Sequence, residues 1–175
     1  MNGSRLINYF VKQMQLRLQS WQKFILFLIC FFFSLEFDRI IRPNLFKSDK
    51  LFNIHFSLLP SYKGMFTSVM PILNGEKSTG VTLHKIDPGI DTGDIIEQIE
   101  FELNEIINSQ ELYCLYLHHG LTLFKSSFNR IRANTYACYP QPSTRSSYYS
   151  KSEINFANLP LNFSKTAFED RKSVV

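Results

Sequence analysis

Residues 24–33 read FILFLICFFF, an apolar run without a charged residue. Such a segment has to be hidden from water, and its length limits how. Crossing a bilayer takes roughly 20 apolar residues, and Glu36, Asp38 and Arg39 close this run off too early. The stretch before it is long for a basic leader, and no small-residue cleavage site follows, which argues against a secretory signal. The pattern fits a buried strand covered on both faces, as the parallel sheets of α/β proteins require. The expectation is an α/β fold with a mostly parallel sheet flanked by helices. A small membrane-anchored protein using residues 24–35 is the competing reading.

The rest of the chain extends this pattern. Ile7, Phe10, Val11, Met14, Leu18 and Trp21 form one helical stripe over residues 5–22. Pro43 interrupts, and a short helical turn is expected at Leu45 and Phe46. LFNIHF, residues 51–56, reads as a strand. MFTSVMPILNG reads as a short helix kinked at Pro71 and ended by Asn74-Gly75. GVTLHKID, residues 80–87, has strand propensity, and DPGIDTGD, residues 87–94, is a loop. IIEQIEFEL then alternates, with Ile95, Ile99 and Phe101 on one face and Gln98, Glu100 and Glu102 on the other. It is expected to be a half-exposed strand paired with its predecessor.

Asn108 and Glu111 have capping-box spacing. They open a long helix whose expected buried stripe is Tyr113, Leu117, Leu121, Phe124, Phe128 and Ile131. Beyond Ala133 the chain becomes Pro- and Ser-rich. Three parts follow: a leader with the apolar strand (1–34), a core (35–133) and an irregular C-terminal extension (134–175). Alternating helices and strands belong to the α/β class.

Composition narrows the partners. A chain of 175 residues suits one domain. The net charge of +4 is spread along the chain, which argues against nucleic acid as the main partner. Cys30, Cys114 and Cys138 are odd in number and lack CxxC spacing. They read as reduced thiols of a cytoplasmic protein, with neither a disulfide framework nor a metal site. A homo-oligomer is compatible with this reading.

Chemistry concentrates at two places. Asn53 and His55 lie two apart on a strand, so their side chains share a face. Polar groups on a buried strand cost free energy unless partnered, and this strand ends at once, where ligands gather in open α/β sheets. Alone, the pair reads more readily as a satisfied core histidine beside a turn-capping amide. DPGIDTGD then supplies Asp87, Asp91 and Asp94 on a glycine-punctuated loop. That loop can be a plain turn or a cation loop, though it lacks the EF-hand pattern. A carboxylate beside an imidazole fixes its tautomer and favours the imidazolium. Asn, His and Asp together can hold an oxyanion and manage a proton, as acyl transfer to an amine requires. Elsewhere, His118-His119 reads as helix surface or packing, His84 as structural, and Tyr148-Tyr149 as aromatic packing rather than base stacking.

In this order and spacing, NIHFSLLPSYKG, ILNGEKSTGVTLHKID and GIDTGDII resemble the folate-dependent formyltransferase family. The family includes glycinamide ribonucleotide, methionyl-tRNA and nucleotide-sugar formyltransferases. The resemblance runs over residues 35–102 and, more weakly, QPSTRSSYYSK, which looks like the sugar-modifying branch. It implies a Rossmann-like catalytic domain and 10-formyltetrahydrofolate as formyl donor. Asn53 would donate to the formyl oxygen, His55 would stabilise the tetrahedral oxyanion as imidazolium, and Asp91 would orient His55 and relay the amine proton. EFDRII matches the segment that holds the pteridine, so Arg39, Ile40 and Ile41, with Asp87, Gly89 and Ile90, are implied folate contacts. Ser57, Lys63 and Gly64 would shape the acceptor side.

The implied acceptor is a primary amine on a nucleotide-linked sugar, such as a dTDP-amino sugar. Methionyl-tRNA members usually carry Gly-Ala-Ala-Pro where this chain reads GMFTSVMP, together with a C-terminal RNA-binding barrel. Methionyl-tRNA or glycinamide ribonucleotide formylation, or a non-catalytic fragment, are the alternatives. Family members begin with a strand and a Gly-containing turn that the residues before EFDRII lack, so an incomplete form of the fold is expected. DRKSVV, residues 170–175, resembles one frame of a sequencing adaptor, and the natural chain is expected to continue differently after Glu169.

Overall fold

The computed structural model describes residues 31–35 and 40–154. The expected helix over residues 5–22, most of the apolar run and Arg39 lie outside them. The first strand is β1 (Phe32–Leu35), followed by a 3₁₀ turn at Pro43–Leu45. Then come β2 (Leu51–His55), β3 (Lys63–Gly64), the short helix α1 (Met70–Leu73), β4 (Ser78–Lys85) and β5 (Ile95–Glu102). The long helix α2 (Ser109–Arg132), β6 (Tyr148–Tyr149) and a closing 3₁₀ turn at Lys151–Glu153 complete the order.

The main sheet is four-stranded in the order β1-β2-β4-β5. The α/β class holds, but the described sheet is mixed rather than mostly parallel. Only β1 runs parallel to β2, while β2–β4 and β4–β5 are antiparallel. The loop 86–94 between β4 and β5 is shorter than the dozen or so residues that a parallel crossover takes, so a hairpin is the available connection. Strand β1 confirms the end of the apolar run as a strand but only partly as a covered one. Ser34 is buried, Phe32 and Phe33 are half-buried, and Leu35 is exposed.

Strand alternation gives the sheet two different faces. Phe52 and Ile54 of β2 and Val81 and Leu83 of β4 are buried in the hydrophobic core with Leu112, Tyr116, Leu123 and Ile131 of α2. Each such side chain, taken from water, contributes roughly 1.5–3 kcal/mol. The opposite face carries Asn53, His55, Thr82 and His84, because Asn53 pairs with His84 and His55 with Thr82. The core therefore holds the sheet by one face and leaves the other for chemistry.

Helix α2 begins with the expected capping box. Asn108 Oδ1 accepts from Glu111 N at 3.0 Å, and Glu111 Oε2 accepts from Asn108 N at 3.1 Å. Its buried row, however, is Leu112, Tyr116, Gly120, Leu123, Ser127 and Ile131. The expected stripe shares Ile131 with this row and otherwise lay one residue off, and its Leu121 is 45% exposed. Small residues decide the matter. A side chain at Gly120 would meet Phe56 at 3.4 Å and Ile54 at 3.5 Å, so the helix approaches β2 closely along that row. Tyr116 is fully buried because its hydroxyl is partnered by Thr79 at 2.8 Å and the Thr67 carbonyl at 3.1 Å. Phe124 and Phe128 pack sideways onto Phe33 of β1.

Pro71 does not kink α1. It lies in the first turn, where its missing N–H is no loss. Among the described residues no helix is long and apolar enough to cross a membrane.

Candidate active site

The site lies on the polar face of β2 and β4. Strand β2 presents Asn53 and His55, β4 presents His84, and the loop 86–94 brings Asp91 above them. His55 is 8% exposed and His84 2%. His55 Nε2 lies 2.7 Å from the Tyr62 carbonyl oxygen, which can only accept, so Nε2 carries the proton. Nδ1 of the same ring faces Asp91 Oδ2 at 3.5 Å, so a proton taken up there is held beside a carboxylate.

Asp91 is fixed in turn by the Gly64 N–H, which donates to Oδ2 at 2.9 Å. Its other oxygen faces Asn53 Nδ2 at 3.4 Å and His84 Nε2 at 3.7 Å. Asp91 adopts φ 54°, in the left-handed region that non-glycine residues seldom occupy.

His84 belongs to this constellation, contrary to the expectation that it is merely structural. Its Nδ1 lies 2.7 Å from the Lys85 carbonyl and must donate to it. In the neutral ring Nε2 is then an acceptor, and it receives a hydrogen bond from Asn53 Nδ2 at 3.2 Å. Burial, and next the neighbouring His55 ring, push His84 down to about 4, which keeps that ring neutral. The signal for His84 is the antiparallel register, invisible until β2 and β4 are known to pair.

A cavity of about 380 Å³ opens over these groups. Asn53, His55, His84 and Asp91 line it, and so do the expected folate contacts Ile40, Ile41, Asp87, Gly89 and Ile90. Of the expected acceptor-side residues only Gly64 reaches it. Ser57 is fully buried and donates to the Ser61 carbonyl at 2.7 Å. Lys63 is turned to the surface, its Nζ 3.1 Å from Ser146 Oγ. Met65, Thr67, Tyr148 and Lys151 line the cavity without having been expected there.

The remaining conspicuous side chains pack. His119 stacks on Phe101 with centroids 4.4 Å apart, and burial pushes it down from the usual histidine range. Tyr149 stacks on Tyr62 at 5.5 Å. Cys114 and Cys138 are free thiols.

A model of the formyl transferase family matches residues 32–122, a span that contains β1 through most of α2 and every residue of the Asn53–His55–His84–Asp91 group. The chain belongs to the formyl transferase family. Its fold is also that of solved family structures. It is similar to the N-formyltransferase from Helicobacter canadensis in complex with folinic acid and dTDP-3-aminofucose, with 54% identity and a TM-score of 0.76. That match covers 82% of this chain and 53% of the other. It is likewise similar to WlaRD, a sugar 3N-formyl transferase, at 48% identity and a TM-score of 0.77, over 84% of this chain and 55% of the other.

Among curated relatives, the methionyl-tRNA formyltransferase of Fervidobacterium nodosum is 34% identical over 79% of this chain and 43% of its own length. This formyl transferase chain thus spans about half the length of the relatives it matches.

Proposed function

We propose that this chain carries the transfer centre of a folate-dependent N-formyltransferase whose acceptor is an amino group on a nucleotide-linked sugar. One observation carries the reading. Asp91, anchored by Gly64, lies within 3.7 Å of groups on His55, Asn53 and His84 at once, in a cavity that can seat a donor against an acceptor.

The chemistry follows from these residues. The amine lone pair attacks the formyl carbon of 10-formyltetrahydrofolate, and the carbonyl π pair moves onto oxygen. Asn53 N–H and the His55 imidazolium stabilise that oxyanion. The tetrahedral species collapses by breaking the bond between carbon and N10, which takes a proton as it leaves. The amine nitrogen gives up a proton, which Asp91 is placed to relay. The long contact between Asn53 and Asp91, 3.4 Å, is one that a bound formyl oxygen can replace. Ile40, Ile41 and Ile90 give the cavity an apolar flank suited to a pteridine.

The sugar acceptor is supported by the two sugar-modifying relatives at 54% and 48% identity, against 34% for the methionyl-tRNA relative. The test is an assay of this chain with 10-formyltetrahydrofolate and a dTDP-amino sugar, beside formyl-acceptor tRNA and glycinamide ribonucleotide. Formylation of the sugar nucleotide alone is expected. Preference for either other acceptor overturns the substrate class. Folate binding without turnover on any amine identifies a non-catalytic fragment.

A further inference from the structure

We propose that Gln141 is a positioning residue for the transfer centre, clamping the backbone of Asp91 so that its carboxylate stays against His55 and Asn53. The proposal rests on the formyl-transfer reading for its consequence in catalysis, and on geometry for the clamp itself. Sequence patterning places Gln141 in a Pro/Ser-rich extension with no assigned role.

Gln141 Nε2 lies 2.8 Å from the Asp91 carbonyl and 2.8 Å from the Gly93 carbonyl. Both acceptors are carbonyl oxygens, so the amide is oriented nitrogen first, with one N–H for each. It thereby ties together the two ends of the tightest part of the loop, where Asp91 holds φ 54°. Gln141 Oε1 is buried without a partner among the described residues, so the orientation is set wholly by the two donations.

The clamp itself is anchored on both sides. Upstream, Tyr139 and Ile95 exchange backbone hydrogen bonds at 2.8 and 2.9 Å. Downstream, β6 pairs with β3, and Ser147 Oγ accepts from Tyr62 N at 2.8 Å. Strand β3 and its flank hold both members of the proton-handling pair, His55 through the Tyr62 carbonyl and Asp91 through the Gly64 N–H. Residues 139–149 thus bridge the two loops whose separation sets the 3.5 Å contact between His55 Nδ1 and Asp91 Oδ2. Misplacing a catalytic group by about 1 Å costs up to about 10²-fold in rate.

The test compares the full wild-type chain with Gln141→Met and Gln141→Glu, which cannot donate, and with Asp91→Ala. The readouts are kcat, KM for the formyl donor, melting temperature and the amide proton shifts of Gly64 and Met65. Gly64 N–H reports the Asp91 carboxylate, because a charge-assisted hydrogen bond shifts it downfield. Met65 N–H, bonded to the Tyr149 carbonyl at 2.9 Å, reports only the β3–β6 junction.

Both Gln141 variants are expected to lower kcat by about 10²-fold with donor KM within about a factor of two. The Gly64 amide should move upfield toward its position in Asp91→Ala while the Met65 amide stays. An unmoved Gly64 amide overturns the proposal. So does a joint shift of both amides with a fall in melting temperature, which makes Gln141 a general fastening. A wild-type chain that formylates no amine removes the formyl-transfer reading, and the two amides still decide whether Gln141 sets Asp91.

Discussion

Asn53 and His84 face one another across the β2–β4 pair, with Asn53 Nδ2 3.2 Å from His84 Nε2. Directly opposed residues of an antiparallel pair share a face, so the register alone brings the amide to the ring. The Lys85 carbonyl then fixes the tautomer, and the ring dictates which end of the Asn53 amide turns inward. A neutral buried histidine thereby aims a donor.

Replacing that acceptor separates positioning from packing. His84→Phe keeps a ring but leaves Asn53 with one amide hydrogen unpaired, a loss of roughly 1–3 kcal/mol. The expected result is about a tenfold to hundredfold fall in kcat, with donor KM little changed. His84→Gln, which can still accept from Asn53, should retain more activity than the Phe variant. Steady-state kinetics on the two variants check this, and equal activities would contradict it.

The same ring makes stability depend on pH. His84 is lowered to about 4 from an ordinary 6.5, so below pH 6.5 the unfolded chain takes the proton first. Its contribution to stability is whole above pH 6.5, falls as pH drops and is gone below about 4. The loss is on the order of 3 kcal/mol. Urea unfolding between pH 7 and 4 should show a steeper decline for wild type than for His84→Gln.

Gly64 tests the junction beneath Asp91. It holds φ +84°, and a Cβ there would stand 2.3 Å from the Tyr149 carbonyl oxygen. Gly64→Ala therefore has to part β3 from β6 and withdraw the N–H that Asp91 accepts. Activity should fall by about tenfold or more, and the melting temperature should fall with it. Activity retained at the wild-type level would show that the Gly64 contact is dispensable.

Helix α2 offers a paired measurement of which row faces the sheet. Leu123 is fully buried and Leu121 is 45% exposed. Leu123→Ala is expected to cost about 2–5 kcal/mol, and Leu121→Ala about 0.5 kcal/mol or less. Chemical denaturation of both variants decides between the observed row and its neighbour.

Local features were the legible ones. The Asn108–Glu111 capping box, the loop at 87–94 and the alternation of β5 from Gln98 to Glu102 depend on residues a few positions apart, and all three are present. Ile95 departs from the expected face, because the register shift opposite Leu83 and His84 pairs it with His84 and leaves Ile96 in the core with Val81 and Leu83. The α2 stripe was misread because Gly120 and Ser127 carry little hydrophobic signal, yet their small size lets the helix approach the sheet. His84 and Gln141 were passed over for another reason. Each gains its role from a partner distant in sequence, His84 from Asn53 and Gln141 from Asp91.

The sequence by itself determined the shared face of Asn53 and His55, the glycine-punctuated loop that offers Asp91, and the family in which these occur together. Those are matters of strand periodicity and turn chemistry, which act over short range. Tertiary structure alone decided that the hairpin would set His84 opposite Asn53. It also decided that β3 would hold both His55 and Asp91, and that the Pro/Ser-rich segment would close over them. Distances of about 3 Å between remote side chains depend on register, loop closure and packing, and no spacing along the chain encodes them singly.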